Sequence, residues 1–150
     1  MPNERDIIVS SETDSAPMSH HKALIYTMVM VSAADSDMTD AEIMAIGEEV
    51  QRLPIFRDYD TDLLPEAAAE CAEALQAAEG LDKLLDEVKL GLPKKLHETA
   101  YALACDVAVA DGQLSQEELR LLQMLRNKLE LDRLHSAAIE RGARARHAII

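Results

Sequence analysis

VADGQLSQEELRLL, residues 109–122, is the stretch on which the fold turns, because 76 positions earlier the chain carries AADSDMTDAEIMAI, residues 33–46. Asp111 aligns with Asp35, Ser115 with Thr39, and Glu118 with Glu42. The apolar positions align as well: Leu114 with Met38, Leu119 with Ile43, Leu122 with Ile46, Leu129 with Leu53. Self-similarity at a fixed spacing marks a repeated supersecondary unit, although convergence on a common helix hairpin also accounts for so short a match. Each copy has the form Asp-x-x-x-Ser/Thr-x-x-Glu. The hydroxyl residue suits the N-cap of the next helix, and the glutamate three residues on can reach back to the N-cap amide, which completes a capping box. Gly112 supplies a left-handed turn residue. An apolar run precedes each loop, so the unit reads as core helix, acidic loop, amphipathic helix. Two such units bury best face to face, with the intervening segments as spacers.

Working outward, the pattern predicts about seven helices and no strand alternation. Residues 18–35 form a first helix, apolar on nearly every face, which belongs in a core. Residues 39–53 form a second, with Ile43, Ile46 and Val50 at helical spacing, and Pro54 ends it. Residues 63–78 make an Ala- and Glu-rich third helix with Pro65 in its first turn; Gly80 breaks it, and 81–90 is a short fourth. Beyond Gly91 and Pro93, residues 94–111 give a second all-round apolar helix, 115–129 a sixth and 132–147 a seventh. Residues 1–17 are polar and expected to be a disordered tail, leaving 18–150 as one domain. Composition agrees. Ala, Leu, Met and Ile dominate, with no Trp, one Phe and three Tyr, a helix-forming rather than strand-forming mixture.

Charge excludes one class of partner. The net charge is −13, with 16 acids and 4 bases in residues 1–75 against 12 and 11 in residues 76–150. An acidic first half repels phosphate backbones, so nucleic acid is not an expected partner. Arg141, Arg144 and Arg146 read as a solvated helix end offsetting the macrodipole. Cys71 and Cys105 lie in apolar helical stretches without metal or disulfide spacing, and are expected to be reduced core thiols. The N-terminus lacks signal-peptide features, and the most apolar stretch, 23–34, is too short to span a bilayer. A cytoplasmic location is the default expectation.

The acidic loops admit two readings. In one, Glu42 and Glu118 are capping-box residues and nothing more. In the other, Asp35 and Asp111 carry further weight, because each sits where a helix C-terminus disfavours negative charge. Back-folding brings Glu42 towards Asp35 and Glu118 towards Asp111; carboxylates so grouped repel unless protons or a cation intervene. An all-oxygen set of Asp35, Glu42, Asp111 and Glu118 suits a hard divalent cation, Ca²⁺, Mg²⁺ or Mn²⁺, with Asp37, Asp40 and Glu117 as reserves. An EF-hand is excluded: its sixth position would be Asp40 rather than Gly, and its twelfth Ile46. Asp106 is a lone acid in the apolar fifth helix with no partner visible in the sequence. It is the only hint of an enzyme with an acidic pocket. Of the histidines, His20 and His21 are expected to be exposed, and His97 and His135 surface or half-buried. No catalytic motif is present.

The stretch ALACDVAVADGQLSQEELRLLQML resembles the signature of TerB-like tellurite-resistance domains, and is similar to the TerB-like domain of DjlA-type co-chaperones. The likeness is strongest over residues 94–130 and extends, weaker, over 22–53. It implies an all-α fold, a compact bundle of about seven helices with an internal pseudo-two-fold repeat. It also implies a non-enzymatic, cation-binding acidic surface and a link to stress response. Protein partners, a second copy of the chain among them, are expected, whereas nucleic acid and a membrane span are not, on the charge and the short apolar runs above. Carried over residue by residue, the metal candidates are again Asp35, Glu42, Asp111 and Glu118. Ser36 stands where the family usually has Gly, and Gln113 where another acid is common.

Overall fold

The computed structural model describes residues 17–34 and 38–150. Among these residues the chain is all-helical: α1 (His20–Ser32), α2 (Asp40–Arg52), α3 (Leu64–Leu75), α4 (Gly80–Gly91), α5 (His97–Ala108), α6 (Gln116–Lys128) and α7 (Arg133–Arg146). Short 3₁₀ turns at Pro54–Phe56, Thr61–Leu63 and Lys94–Leu96 join them. The expected tail at residues 1–17 lies, up to residue 16, outside the described residues.

The two apolar helices form the centre. α1 packs on α5, and both are buried along almost their whole length. Ser19 caps α1 by accepting the Lys22 amide at 3.1 Å. Within the buried run, Thr27 satisfies its hydroxyl by donating to the Ala23 carbonyl at 2.8 Å. α2 lies against both α1 and α5, and so does α6. The remaining sides differ. α3 and α4 pack on each other and cover α1, whereas α7 alone covers α5. The core therefore has a two-helix axis with matched partners on one flank and unmatched cover on the other.

Helix ends follow local chemistry. Leu53 precedes Pro54 and is extended (φ −74°, ψ 140°), as a residue before proline must be, and that stops α2. Gly112 has φ +79° in the loop after α5, as the sequence suggested. At the junction of α3 and α4, α3 ends at Leu75 rather than 78, and Glu79 takes the left-handed conformation, at φ 56°. Gly80 is the first residue of α4. A Cβ there would stand 2.3 Å from the Ala74 carbonyl oxygen, so only glycine permits this approach of α4 to the end of α3. α6 ends in a Schellman motif: the Leu131 amide donates to the Arg126 carbonyl and the Glu130 amide to the Asn127 carbonyl. Glu130 takes the left-handed position at φ 54°, where glycine is usual.

Candidate functional site: the two capped acidic loops

Both predicted capping boxes are formed. The Glu42 amide donates to Thr39 Oγ1 at 3.2 Å, and the Thr39 amide donates to Glu42 Oε1 at 3.0 Å. In the second hairpin the Glu118 amide donates to Ser115 Oγ and the Ser115 amide to Glu118 Oε1, both at 3.0 Å. The registers agree too. α1 and α5 end 76 positions apart, and α2 and α6 both begin and end 76 positions apart.

What the sequence did not disclose is the burial of these glutamates. Glu42 and Glu118 are each only 2% exposed. Helix N-termini favour negative charge, which offsets part of the cost of removing a carboxylate from water. Asp111 stands differently. It is exposed, and its Oδ1 accepts the Gln113 amide at 3.0 Å, so it shapes its own turn. Asp35 lies outside the described residues, as does Asp37; Asp40 and Glu117 are exposed. Among the described residues no three acidic, histidine or cysteine side chains converge closely enough to hold a metal ion. The four candidate side chains offer only oxygen donors, the kind a hard cation takes.

The family model described as Tellurite resistance protein TerB matches residues 21–141. The chain belongs to the TerB family. The matched span runs from the first turn of α1 into α7 and holds both capped loops of this TerB domain. No curated protein and no solved structure matches the chain.

Elsewhere in the TerB domain the structure supplies partners that sequence reasoning lacked. Asp106 pairs with Arg146 at 2.6 Å and lies 3.7 Å from the His147 ring. Arg146 is thus a structural partner rather than a solvated helix end. Glu49 of α2 is buried near this pair; loss of solvent pushes its carboxyl above the usual range, the Asp106 charge adds to that, and Arg52 beside it opposes it. Tyr101 donates its hydroxyl to Glu140, which also accepts from Arg126 at 2.9 Å. Burial pushes the Tyr101 phenol far up, and its bond to Glu140 adds to the shift. The polar tip of a lone tyrosine in an apolar helix was the available signal. His20 and His21 correct their expectation: both are half-buried, and the His21 ring is stacked on Phe56 with Nε2 2.8 Å from the Ile55 carbonyl oxygen. His97 is half-buried and His135 exposed. Cys71 and Cys105 are buried free thiols, pushed up to about 12 by desolvation. Among the described residues no helix is long and apolar enough to cross a membrane.

Proposed function

We propose that this TerB domain is a non-catalytic module that binds a divalent cation, Ca²⁺, Mg²⁺ or Mn²⁺, and reports its occupancy to protein partners in a cytoplasmic stress response. The candidate ligands are Asp35 with Glu42 at one loop and Asp111 with Glu118 at the other. The observation that carries this reading is the burial of Glu42 and Glu118 at matched positions, 2% exposed each. Glutamine serves a capping box as well as glutamate does, without the cost of burying a charge. Two glutamates kept at both sites therefore argue that the charge is used. The matched registers support descent of the two hairpins from one duplicated unit, which would give the cation a symmetric pair of loops.

Thermal unfolding in chelator and then with each ion tests this reading, beside a Glu42→Gln/Glu118→Gln variant that keeps both caps and removes both charges. An ion at 100 times its dissociation constant adds about 2.7 kcal/mol to the native chain, a shift of several degrees, and the variant loses that response. If no ion moves the transition, the acids are caps alone. The second reading is then a metal-free interaction domain, its partners meeting the exposed apolar side chains Ile43 and Met44 on α2.

A further inference from the structure

A groove of about 330 Å³ opens between α5, α6 and α7 beside the second acidic loop; Glu42, Asp111 and Glu118 do not line it. Val109, Leu119, Leu122 and Ala143 give it aliphatic walls, which Tyr101, Cys105 and Gln123 complete. Leu114 and Leu119, which flank the Ser115 cap, are exposed at its rim. The volume falls within the range of small-molecule sites.

The polar lining is biased towards cations in a chain of net charge −13. Arg126, Arg144 and Glu140 line the groove, so its formal charge is two positive against one negative. The Glu140 charge is already engaged, by Arg126 at 2.9 Å and by the Tyr101 hydroxyl. Arg126 uses Nη1 for both contacts, leaving further donors of its five-donor fork. Arg144 is exposed and has no ion pair among the described residues. An aliphatic cleft with one arginine uncommitted is complementary to an apolar chain ending in an anion.

We propose that the groove between α5, α6 and α7 binds a medium-chain aliphatic carboxylate, its chain against Val109, Leu119, Leu122 and Ala143 and its carboxylate on Arg144. The site shares no residue with the proposed cation ligands, so the two proposals stand or fall separately.

The test titrates the full chain with octanoate and, as the neutral control, 1-octanol, following amide shifts by NMR. Octanoate shifts the amides of Val109, Leu119 and Ala143 and binds about tenfold more tightly than octanol. Arg144→Gln lowers octanoate affinity about tenfold and leaves octanol unchanged, with an unaltered melting temperature showing that the variant folds. Leu119→Gln at the rim weakens both ligands. Equal affinity for octanoate and octanol, or an unaffected Arg144→Gln variant, overturns the proposal. So does an absence of octanoate shifts up to about 1 mM. Groove shifts from an acidic, leucine-containing peptide but none from octanoate also overturn it, and assign the groove to a protein partner.

Discussion

Asp106 of α5 and Arg146 of α7 meet at 2.6 Å, tying the last turn of the final helix to the core helix beneath it. The carboxylate is 13% exposed and the guanidinium 56%, so the pair lies between a surface bridge and a buried one. Removing the arginine leaves a largely desolvated charge with Glu49 near it and the His147 ring 3.7 Å away. Arg146→Met is expected to cost about 1 kcal/mol, which at this chain length lowers the melting temperature by about 2–4 °C. Asp106→Asn should cost less, because it also removes the charge that presses on Glu49. A double-mutant cycle on the two positions reads the coupling directly.

Glu49 gives the fold a pH dependence of definite sign. Its carboxyl is raised above the ordinary 4.5, through desolvation first and the Asp106 charge second, against the opposing Arg52 and Arg146. The native state therefore holds this proton more tightly than the unfolded chain does. The associated stability is fully present below 4.5 and is lost as pH rises through the raised folded value. Glu49→Gln is neutral throughout. The variant should match the natural chain in acid and exceed it in melting temperature near neutrality, the gap opening across that window. A gap independent of pH would show that Glu49 does not titrate there.

The two caps should be energetically comparable. Thr39→Ala and Ser115→Ala each remove the side-chain acceptor for an N3 amide, and each is expected to cost about 1 kcal/mol by urea unfolding. Ser115→Asp retains an acceptor and should recover most of the loss. In these variants the buried Glu42 or Glu118 keeps its own bond to the N-cap amide, so the effect reports the hydroxyl alone.

The loops were legible because capping is local: Thr39 with Glu42 and Ser115 with Glu118 stand three residues apart, and nothing beyond the turn is needed to form them. The same holds for the helices, since the all-round apolar runs of α1 and α5 can only be central. Long-range pairing was not legible. Asp106 and Arg146 are forty residues apart, Tyr101 and Glu140 thirty-nine, and nothing in the spacing ties them until α7 is laid along α5. Burial of Glu42 and Glu118 was hidden for the same reason, because a capping box has one sequence pattern whether it faces solvent or the core. Left-handed turns were half legible. Gly112 advertised one, but Glu79 and Glu130 hold theirs without glycine, and tertiary packing decides there.

Two glycines separate propensity from packing in a single substitution. Gly47 lies within α2, and a Cβ there would meet nothing within 4 Å. Alanine at that position restricts the unfolded chain and favours the helix, so Gly47→Ala should stabilise by about 0.5–1 kcal/mol. Gly80 opens α4, and its Cβ would meet the Ala74 carbonyl oxygen at 2.3 Å and the Leu75 carbonyl oxygen at 3.1 Å. Both are backbone atoms that no rotamer change moves aside. Gly80→Ala must displace α4 from the end of α3, at an expected cost of about 1–3 kcal/mol. Urea unfolding of the two variants should shift the midpoint in opposite directions at unchanged slope. A stabilised Gly80→Ala variant would mean that α3 and α4 do not approach as closely as described.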